Sequence, residues 1–205
     1  MSKESEKIAA RKTLKGNLRS LKASEVLVKS ASIAEVLLTL LCELREKKLD
    51  EAKPTLGVYS PLEAEANWLC IEDQLRKSWE LVYPSFCEER GIRYRSGKLG
   101  LLKSKEFGVE ILSPPRDAFE MTPDVCLVPG LGFSRLGERL GRGKGFYDRF
   151  LSRFEGIKIG LSFNEQIMEE IPVEAHDVLL DFLVGEETIY QQGKPYKFWS
   201  QTKDT

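Results

Sequence analysis

Val125-Cys-Leu-Val-Pro-Gly-Leu-Gly-Phe-Ser-Arg-Leu-Gly-Glu-Arg-Leu-Gly-Arg-Gly-Lys-Gly-Phe-Tyr-Asp148 is the stretch of sequence that decides the fold of this chain. It opens with an unbroken apolar run, which is the pattern of a central strand covered on both faces. It closes on a helical pattern that begins near Phe146. In an α/β sheet, ligands bind beyond the carboxyl ends of the strands. The stretch therefore predicts an α/β fold whose ligand site lies in the glycine-rich segment after the strand.

The glycine-rich segment, here called the glycine loop, covers residues 139–145 and alternates glycine with cationic side chains. Glycine tolerates positive φ and lets a ligand approach main-chain N–H groups. Cationic side chains suit phosphate oxygens, and a helix that starts after the loop directs free N–H groups towards them. A carboxylate in its first turn can hold the metal that accompanies a polyphosphate. The pattern predicts a nucleotide site with the candidates Arg139, Gly141, Arg142, Gly143, Lys144, Gly145, Phe146, Tyr147 and Asp148.

Two common phosphate-binding motifs do not describe this loop. In a Walker A loop a glycine would stand five residues before Gly143, and Ser or Thr would replace Gly145. In the dinucleotide motif a third glycine would occupy the position of Asp148. A flexible surface loop with solvated charges therefore remains an alternative to a phosphate site.

Length and composition are those of an ordinary globular protein. The 205 residues, 41% of them hydrophobic, can form a sizeable core, and we expect one domain over residues 1–205. The formal net charge of −1 gives no global attraction to nucleic acid or to an anionic membrane. The apolar runs are too short to span a bilayer, and the charged N-terminus lacks an apolar signal core. We therefore expect a cytoplasmic protein without a nucleic-acid or membrane partner.

Cysteine and histidine usage argues against disulfides and structural zinc. Because the cysteines lie far apart and form no C-x-x-C pair, we expect reduced thiols, mostly in the core. The single histidine, His176, leaves no clustered zinc ligands. His176 itself has two interpretations, a structural hydrogen-bonding residue or a general base. The cysteines are Cys42, Cys70, Cys87 and Cys126.

Hydrophobic periodicity predicts two N-terminal helices, over residues 3–22 and 24–48, the second with Ser24 as its N-cap. Residues 190–205 show only turn signals and are expected to form a mobile tail. Strands alternating with helices predict a three-layer α/β fold, with a central, mostly parallel sheet flanked by helices. The remaining predicted elements are strands at 55–59, 81–83, 125–128, 157–161 and 178–184, helices through 68–75, after the glycine loop and at 165–171, and one hairpin within 91–123.

A basic stripe runs along the first predicted helix, where Lys7, Arg11, Lys15 and Arg19 recur every four residues. Three interpretations are open: a solvated helix face, a nucleic-acid contact, or one wall of a nucleotide site. Composition by itself favours the solvated face.

The glycine loop and the segment before it resemble a known signature. Val128-Pro-Gly-Leu-Gly-Phe133 together with Arg139-Leu-Gly-Arg-Gly-Lys-Gly-Phe-Tyr-Asp148 is similar to the signature of the 5-formyltetrahydrofolate cyclo-ligase family. Weaker resemblance extends over 11–19, 58–65, 107–110, 160–166 and 172–181. The resemblance implies ATP- and Mg²⁺-dependent ring closure: ATP phosphorylates the formyl oxygen of 5-formyltetrahydrofolate, N10 attacks the activated carbon, and phosphate leaves to give 5,10-methenyltetrahydrofolate.

The resemblance also implies roles for individual residues. Basic residues of the first helix, Arg11 or Lys12 and then Lys15, would bind ATP phosphates together with the glycine loop. Asp148 would share Mg²⁺ with Asp177. The partner would be a reduced folate, possibly polyglutamylated, bound by a monomer or weak dimer. Catalysis is expected from Arg142 and Lys144, and substrate binding from Tyr59, Glu65, Arg142, Gly143, Lys144, Gly145 and Phe146.

Several positions depart from the family's usual pattern. Lys15 stands where the family usually has arginine, and a lysine cannot fork onto two oxygens. Asn67 and Trp68 replace an acid and a threonine, and Phe146 replaces a frequent tyrosine. Trp68 can pack in the core or stack on a flat ring such as a pterin or adenine. The same choice applies to Phe133, Phe146 and Tyr147.

Two other classes of function compete with the cyclo-ligase. A sugar-phosphate isomerase-like enzyme on a similar scaffold would need a single phosphate site and a base. A non-catalytic nucleotide- or RNA-binding module would use the basic stripe, although the near-zero net charge argues against a broad nucleic-acid footprint.

Overall fold

A computed structural model describes residues 2–48, 53–63, 65–87, 91–106, 109–174 and 177–198 of the chain. No helix within these ranges combines the length and apolar character needed to cross a membrane. Short 3₁₀ turns cover Leu69–Ile71, Gly97–Leu99 and Asn164–Gln166. The α-helices are α1 (Lys3–Ser20), α2 (Ala23–Lys48), α3 (Glu72–Ser78) and α4 (Phe146–Leu151).

The strands form a large central sheet and two small ones. The central sheet has the order β13-β12-β11-β9-β6-β1-β2-β3, and the small sheets have the orders β10-β7-β8 and β4-β5. The strands are β1 (Thr55–Gly57), β2 (Glu80–Cys87), β3 (Gly91–Ser96), β4 (Leu102–Glu106), β5 (Val109–Ser113), β6 (Val125–Val128), β7 (Gly132–Ser134), β8 (Arg139–Leu140), β9 (Ile157–Leu161), β10 (Ile167–Met168), β11 (Phe182–Val184), β12 (Ile189–Gln191) and β13 (Lys194–Pro195).

The interior of the central sheet is parallel, as predicted. β1 pairs in parallel with β2 and β6, and β9 pairs in parallel with β6 and β11. The strands at both edges, β3, β12 and β13, pair antiparallel. From β1 the chain continues to β2 on one side, whereas β6 continues to β9 and β11 on the other. The strand order therefore reverses between β1 and β6, and a ligand crevice is expected at the carboxyl ends of these two strands.

Strand β6 separates two apolar layers and confirms the three-layer prediction. All of its side chains are fully buried, as expected of a central strand covered on both faces. Val125 and Leu127 belong to a cluster that includes buried residues of α1 and α2. Cys126 and Val128 belong to a second cluster, which includes Leu151 of α4. The sheet is thus covered by α1 and α2 on one face and by α4 on the other.

Helix α1 approaches strand β7 closely at a glycine. Leu14 of α1 is almost completely buried, and a Cβ atom on Gly132 would lie 2.4 Å from its Cδ1 atom. The missing side chain at Gly132 therefore leaves room for Leu14. This contact positions the polar side of α1 beside the segment that follows β7, which is the glycine loop.

The predicted start of α2 and the predicted helix at 165–171 are wrong. Helix α2 begins at Ala23 rather than after a Ser24 cap, because the Glu25 carboxylate accepts the Lys22 N–H at 2.7 Å. Residues 165–171 contain the end of a 3₁₀ turn followed by β10, which pairs with β7. The buried Gln166 amide accepts the Phe163 N–H and donates to the Gly130 carbonyl, each at 3.0 Å. These bonds end the helical turn and lead the chain along β7.

The predictions for the C-terminal region need correction as well. The strand predicted at 178–184 is limited to β11. The chain after residue 190 is not a mobile tail as far as residue 198, because β12 and β13 extend the sheet, and Tyr196 packs edge-on against Phe182 at 5.3 Å. Residues 199–205 lie outside the described part.

The predicted hairpin is confirmed by β4 and β5. The cysteine prediction is confirmed only in part. Cys126 is buried, whereas Cys42 and Cys70 are exposed free thiols. The Cys87 side chain lies outside the described part.

Substitution of Gly132 by alanine should push α1 away from β7. We expect the free energy of unfolding to fall by about 1–3 kcal/mol, the usual cost of overpacking a filled core. As a control, Gly16 of α1 is exposed and a Cβ atom there would meet no atom within 4 Å. Gly16→Ala should instead stabilise by up to about 1 kcal/mol through helix propensity. Urea unfolding measures both changes, and equal stability of the two variants would contradict the close contact.

Candidate active site

A cavity of about 260 Å³ opens at the carboxyl ends of β1 and β6, where the strand order reverses. We call it the first cavity. Segments that follow β1 and β6 form its floor, β2 and β5 supply an apolar side, and the glycine loop with the start of α4 closes it. Its lining residues are Tyr59, Ser60, Leu62, Glu65, Pro84, Phe86, Ile111, Pro129, Gly130, Arg139, Gly141, Arg142, Lys144, Gly145, Phe146, Tyr147 and Asp148.

The glycine loop needs glycine for its backbone conformation and is held by α1. Gly143 and Gly145 have φ of +93° and +67°, a region that side chains disfavour. The Arg11 Nε atom donates to the Gly141 carbonyl at 3.1 Å, and its guanidinium lies beside Gly143. The predicted helix after the loop is α4, which starts at Phe146 as expected but covers only Phe146–Leu151. The loop conformation therefore rests on α1 and on its own glycines.

Arg139 and Asp148 form an ion pair at the wall of the first cavity. The Arg139 side chain is 5% exposed and also donates to the Pro129 carbonyl at 3.1 Å. Its guanidinium lies 5.8 Å from the centre of the Tyr147 ring, within the range of a cation–π contact. The Asp148 side chain remains 42% exposed. Arg139 is therefore a buried support, whereas Asp148 presents a carboxylate to the cavity.

A second ion pair joins Arg142 of the glycine loop to Glu65. The Arg142 Nε and Nη2 atoms lie 3.1 Å and 3.0 Å from the Glu65 Oε1 atom. Glu65 also accepts the Leu62 N–H at 3.1 Å. Burial raises the pKa of the Glu65 carboxyl above its ordinary value, and the nearby Arg142 charge opposes that rise. Glu65 is thus a buried acid whose negative charge depends on a neighbouring donor.

Tyr59 lines the first cavity, as the resemblance implies, but its hydroxyl is already bonded. It donates to the Ala66 carbonyl at 2.5 Å, and burial raises the pKa of Tyr59 well above its ordinary value. Trp68 lies behind it, almost completely buried, and donates to the Tyr59 carbonyl at 2.9 Å. Trp68 and the fully buried Phe133 therefore belong to the core, and the stacking alternative does not apply to them in this structure.

The apolar side of the first cavity comes partly from residues that the sequence analysis missed. Phe86 packs edge-on against Phe146 at 5.6 Å. Ile111 on β5 adds to this side, and its neighbour Leu112 donates its N–H to the Ser60 hydroxyl at 3.2 Å. The hairpin itself was predicted, but its sequence pattern contained no signal that β5 would reach the site.

A second cavity, of about 320 Å³, lies between α1 and the glycine loop. It is lined by Lys15, Leu18, Arg19, Leu131 and Arg142. Arg142 lines both cavities. Three of these five side chains are cationic, so the second cavity favours an anionic ligand.

Only part of the basic stripe lies beside the site. Lys7 is buried, Arg11 bonds to the glycine loop, and Lys15 and Arg19 line the second cavity. Arg19 was not among the predicted site residues, although its spacing of four from Lys15 could have indicated it. Lys12 is exposed and lines neither of the two cavities in the described part of the chain.

The two aspartates expected to hold a metal have different surroundings. The Asp177 Oδ2 atom lies 3.2 Å from the Lys7 ammonium and accepts the Glu174 N–H at 2.8 Å, and Asp177 lines neither cavity. Within the described ranges, no group of three or more His, Cys, Asp or Glu residues is arranged to hold a metal. Mg²⁺ takes one or two protein carboxylates together with water and phosphate oxygens, so the exposed Asp148 carboxylate fits one position. His176 lies outside the described residues.

Curated relatives align with part of this chain. A mouse 5-formyltetrahydrofolate cyclo-ligase is 44% identical over 71 residues, which cover 32% of this chain and 35% of the relative. A relative of the same name from Mycolicibacterium smegmatis is 41% identical over 85 residues, covering 40% of this chain and 44% of the relative. The chain thus spans less than half the length of these two relatives.

Two solved structures share the fold. A 5,10-methenyltetrahydrofolate synthetase from Aquifex aeolicus has a TM-score of 0.71 at 24% identity and covers 97% of this chain and 99% of its own. A 5,10-methenyltetrahydrofolate synthetase from Mycoplasma pneumoniae has a TM-score of 0.66 at 22% identity, with 88% and 99% coverage. At these identities the similarity concerns the fold.

The family model matches most of the chain. The model of the 5-formyltetrahydrofolate cyclo-ligase family matches residues 3–186, which include α1, the glycine loop and all residues that line the two cavities. This chain belongs to the 5-formyltetrahydrofolate cyclo-ligase family.

Proposed function

We propose that the protein closes 5-formyltetrahydrofolate to 5,10-methenyltetrahydrofolate with the consumption of ATP. The observation that carries this proposal is the meeting of two chemically different cavities at Arg142. One has an aromatic and aliphatic side suited to a flat ring, and the other is cationic and suited to phosphates. A reaction that joins a phosphate donor to a ring-bearing acceptor needs both cavities side by side.

The proposed reaction has two steps. The γ-phosphoryl group passes from ATP to the formyl oxygen, which releases ADP and converts a poor leaving group into a good one. The N10 lone pair then forms the new C–N bond at the formyl carbon, the C–O bond to phosphate breaks, and the N10 proton passes to solvent. The protein mainly has to align the reactants and neutralise the charge that spreads over the transferring phosphoryl group.

We assign the neutralisation of that charge to Arg142 and Lys144. Both are exposed residues of the glycine loop and line the first cavity. Their cationic groups can therefore approach the phosphate oxygens on which negative charge develops. In this proposal Arg142 lies between the nucleotide and the folate. Arg139 also lines the first cavity, and it supports this site through its ion pair with Asp148.

The nucleotide phosphates are proposed to lie between α1 and the glycine loop. Lys15 supplies a positive charge in the second cavity, and Arg11 supports the loop from the same helix face. Of the two alternatives Arg11 and Lys12, the contact to Gly141 favours Arg11. The loop contributes N–H groups at its glycines. The proposed ATP-binding set is Arg11, Lys15, Arg139, Gly141, Arg142, Gly143, Lys144, Gly145, Phe146, Tyr147 and Asp148.

The folate ring is proposed to occupy the first cavity. Tyr59 and Phe146 form walls of the cavity, and Glu65 is the acid that can accept N–H groups of the ring. Gly143 and Gly145 keep the loop free of side chains where the two substrates meet.

Mg²⁺ is proposed to be held by Asp148, with Asp177 as the second carboxylate that the family resemblance implies. When bound, Mg²⁺ would neutralise negative charge during phosphoryl transfer. The Asp148 carboxylate lines the first cavity and is partly exposed, and it would have to share its contact with Arg139. The Asp177 carboxylate would have to share its contact with Lys7.

Incubation of the protein with 5-formyltetrahydrofolate, ATP and Mg²⁺ should produce the methenyl product, with one ADP released per ring closed. The absorbance of the methenyl product measures turnover, and omission of ATP should abolish it. Folded protein that yields no product would contradict the proposal. Thermal stabilisation by sugar phosphate or by RNA, without stabilisation by MgATP, would instead favour the isomerase-like or RNA-binding alternative.

Asp148→Asn should lose metal-dependent turnover while the protein stays folded. The charge stabilisation that a metal supplies is worth several kcal/mol, so turnover should fall by about 100-fold or more. Circular dichroism verifies the fold. Asp117→Asn, which removes an exposed carboxylate in a turn away from the site, is the matched control and should keep full activity. Unchanged activity of Asp148→Asn would remove Asp148 from the metal site.

Glu65→Gln separates substrate binding from stability. Burial raises the pKa of the Glu65 carboxyl, so the ionised form is disfavoured in the folded protein. The protonated carboxyl therefore contributes stability at low pH, and this contribution is lost as the pH rises through the pKa of Glu65 in the folded protein. At neutral pH the variant should therefore unfold at the same or a higher temperature than the wild type, and any gain should disappear below about pH 4. Activity should nevertheless fall. A variant clearly less stable at neutral pH would show that Glu65 serves the fold.

A further inference from the structure

One side chain, Arg142, belongs to both cavities at once. Its guanidinium bonds through Nε and Nη2 to the Glu65 Oε1 atom in the first cavity. Lys15 and Arg19 add two positive charges to the second cavity. The ion pair between Arg142 and Glu65 is therefore the physical link between a cavity that takes a ring and a cavity that takes an anion.

The two members of this ion pair differ in their access to water. The Glu65 side chain is 8% exposed and the Arg142 side chain is 41% exposed. A buried carboxylate without a partner is strongly unfavourable, whereas an exposed guanidinium can be solvated. The pair is therefore stabilised mainly because it offsets the cost of burying the Glu65 carboxylate.

Each substrate replaces one member of the pair. A polyphosphate in the second cavity attracts the Arg142 guanidinium and so withdraws the partner of Glu65. A ring in the first cavity donates N–H groups to Glu65 and so withdraws the partner of Arg142. Either ligand alone has to separate the pair, but when both are bound each charged group has a new partner. The cost of separating the pair is then shared by the two ligands.

We infer that the ion pair between Arg142 and Glu65 couples the two cavities, so that a polyphosphate in the second cavity raises the affinity of the first cavity for a ring that donates N–H groups. By linkage, the ring raises the affinity for the polyphosphate by the same factor. This inference rests on the proposed function for the identity of the two ligands.

Isothermal titration calorimetry tests the coupling. The Kd of 5-formyltetrahydrofolate is measured with and without a saturating, non-hydrolysable ATP analogue and Mg²⁺, and the Kd of the analogue is measured with and without the folate. In the wild type we expect each ligand to tighten the other by at least about fivefold, the lower end of typical couplings. Inorganic tripolyphosphate in place of the analogue should retain most of the effect, because the phosphate chain is what attracts Arg142.

Matched variants distinguish coupling from affinity. In Glu65→Gln the factor by which each ligand tightens the binding of the other should fall below about twofold, because a neutral amide needs no cationic partner. Glu63→Gln, which removes the same charge at an exposed neighbouring position, should keep the wild-type factor. Lys15→Gln should weaken the analogue but leave the factor unchanged, since Lys15 lines the second cavity alone. If Glu65→Gln fails to fold, Arg142→Gln removes the same ion pair, and circular dichroism verifies its fold because the buried Glu65 carboxylate loses its partner.

The outcomes separate this inference from the proposed function. Tight binding of both ligands to the wild type with a factor below twofold, or with negative coupling, would overturn the inference alone. A wild-type factor that persists in Glu65→Gln and Arg142→Gln would also overturn it. Failure of the wild type to bind either ligand would refute the proposed function and this inference together.

Discussion

The contact between α1 and β7 supports most of the candidate site. Leu14 fits against the bare backbone of Gly132, and one turn earlier Arg11 bonds to the Gly141 carbonyl. A helix that is fixed at one residue presents its neighbours at intervals of about one turn to the same side. Part of the basic stripe is thus aligned along the glycine loop, and its cationic groups come from the helix rather than from the sheet.

The candidate site is organised by paired charges. Every carboxylate with a role in the proposed chemistry has a cation beside it, because a charge that leaves water needs a partner. Such pairs orient side chains before a ligand arrives, and they also mean that a ligand has to exchange partners when it binds. Three of these pairs are Arg142 with Glu65, Arg139 with Asp148, and Lys7 with Asp177.

Local patterns were reliable where burial or backbone conformation left few choices. The run 125–128 is a fully buried central strand, and the glycine loop has positive φ at Gly143 and Gly145. The prediction was wrong where a distant contact decided the local structure. Residues 165–171 have a helical pattern, yet Gln166 bonds to Gly130 and the chain pairs with β7 instead. The edge strand β12 depends on pairing with β11, and β13 depends on pairing with β12. The turn signals in their sequence did not reveal these pairings.

The sequence by itself determined the family, the α/β class and the cationic, glycine-rich loop, because these depend on neighbours along the chain. Only the tertiary structure decided that Arg142 lies between two cavities, that Arg19 joins one of them and that Ile111 lines the other. It also decided that Trp68 belongs to the core. These placements arise from the packing of helices and strands far apart in the sequence, and periodicity, which reports one helix or strand at a time, contains no information on which of them will meet.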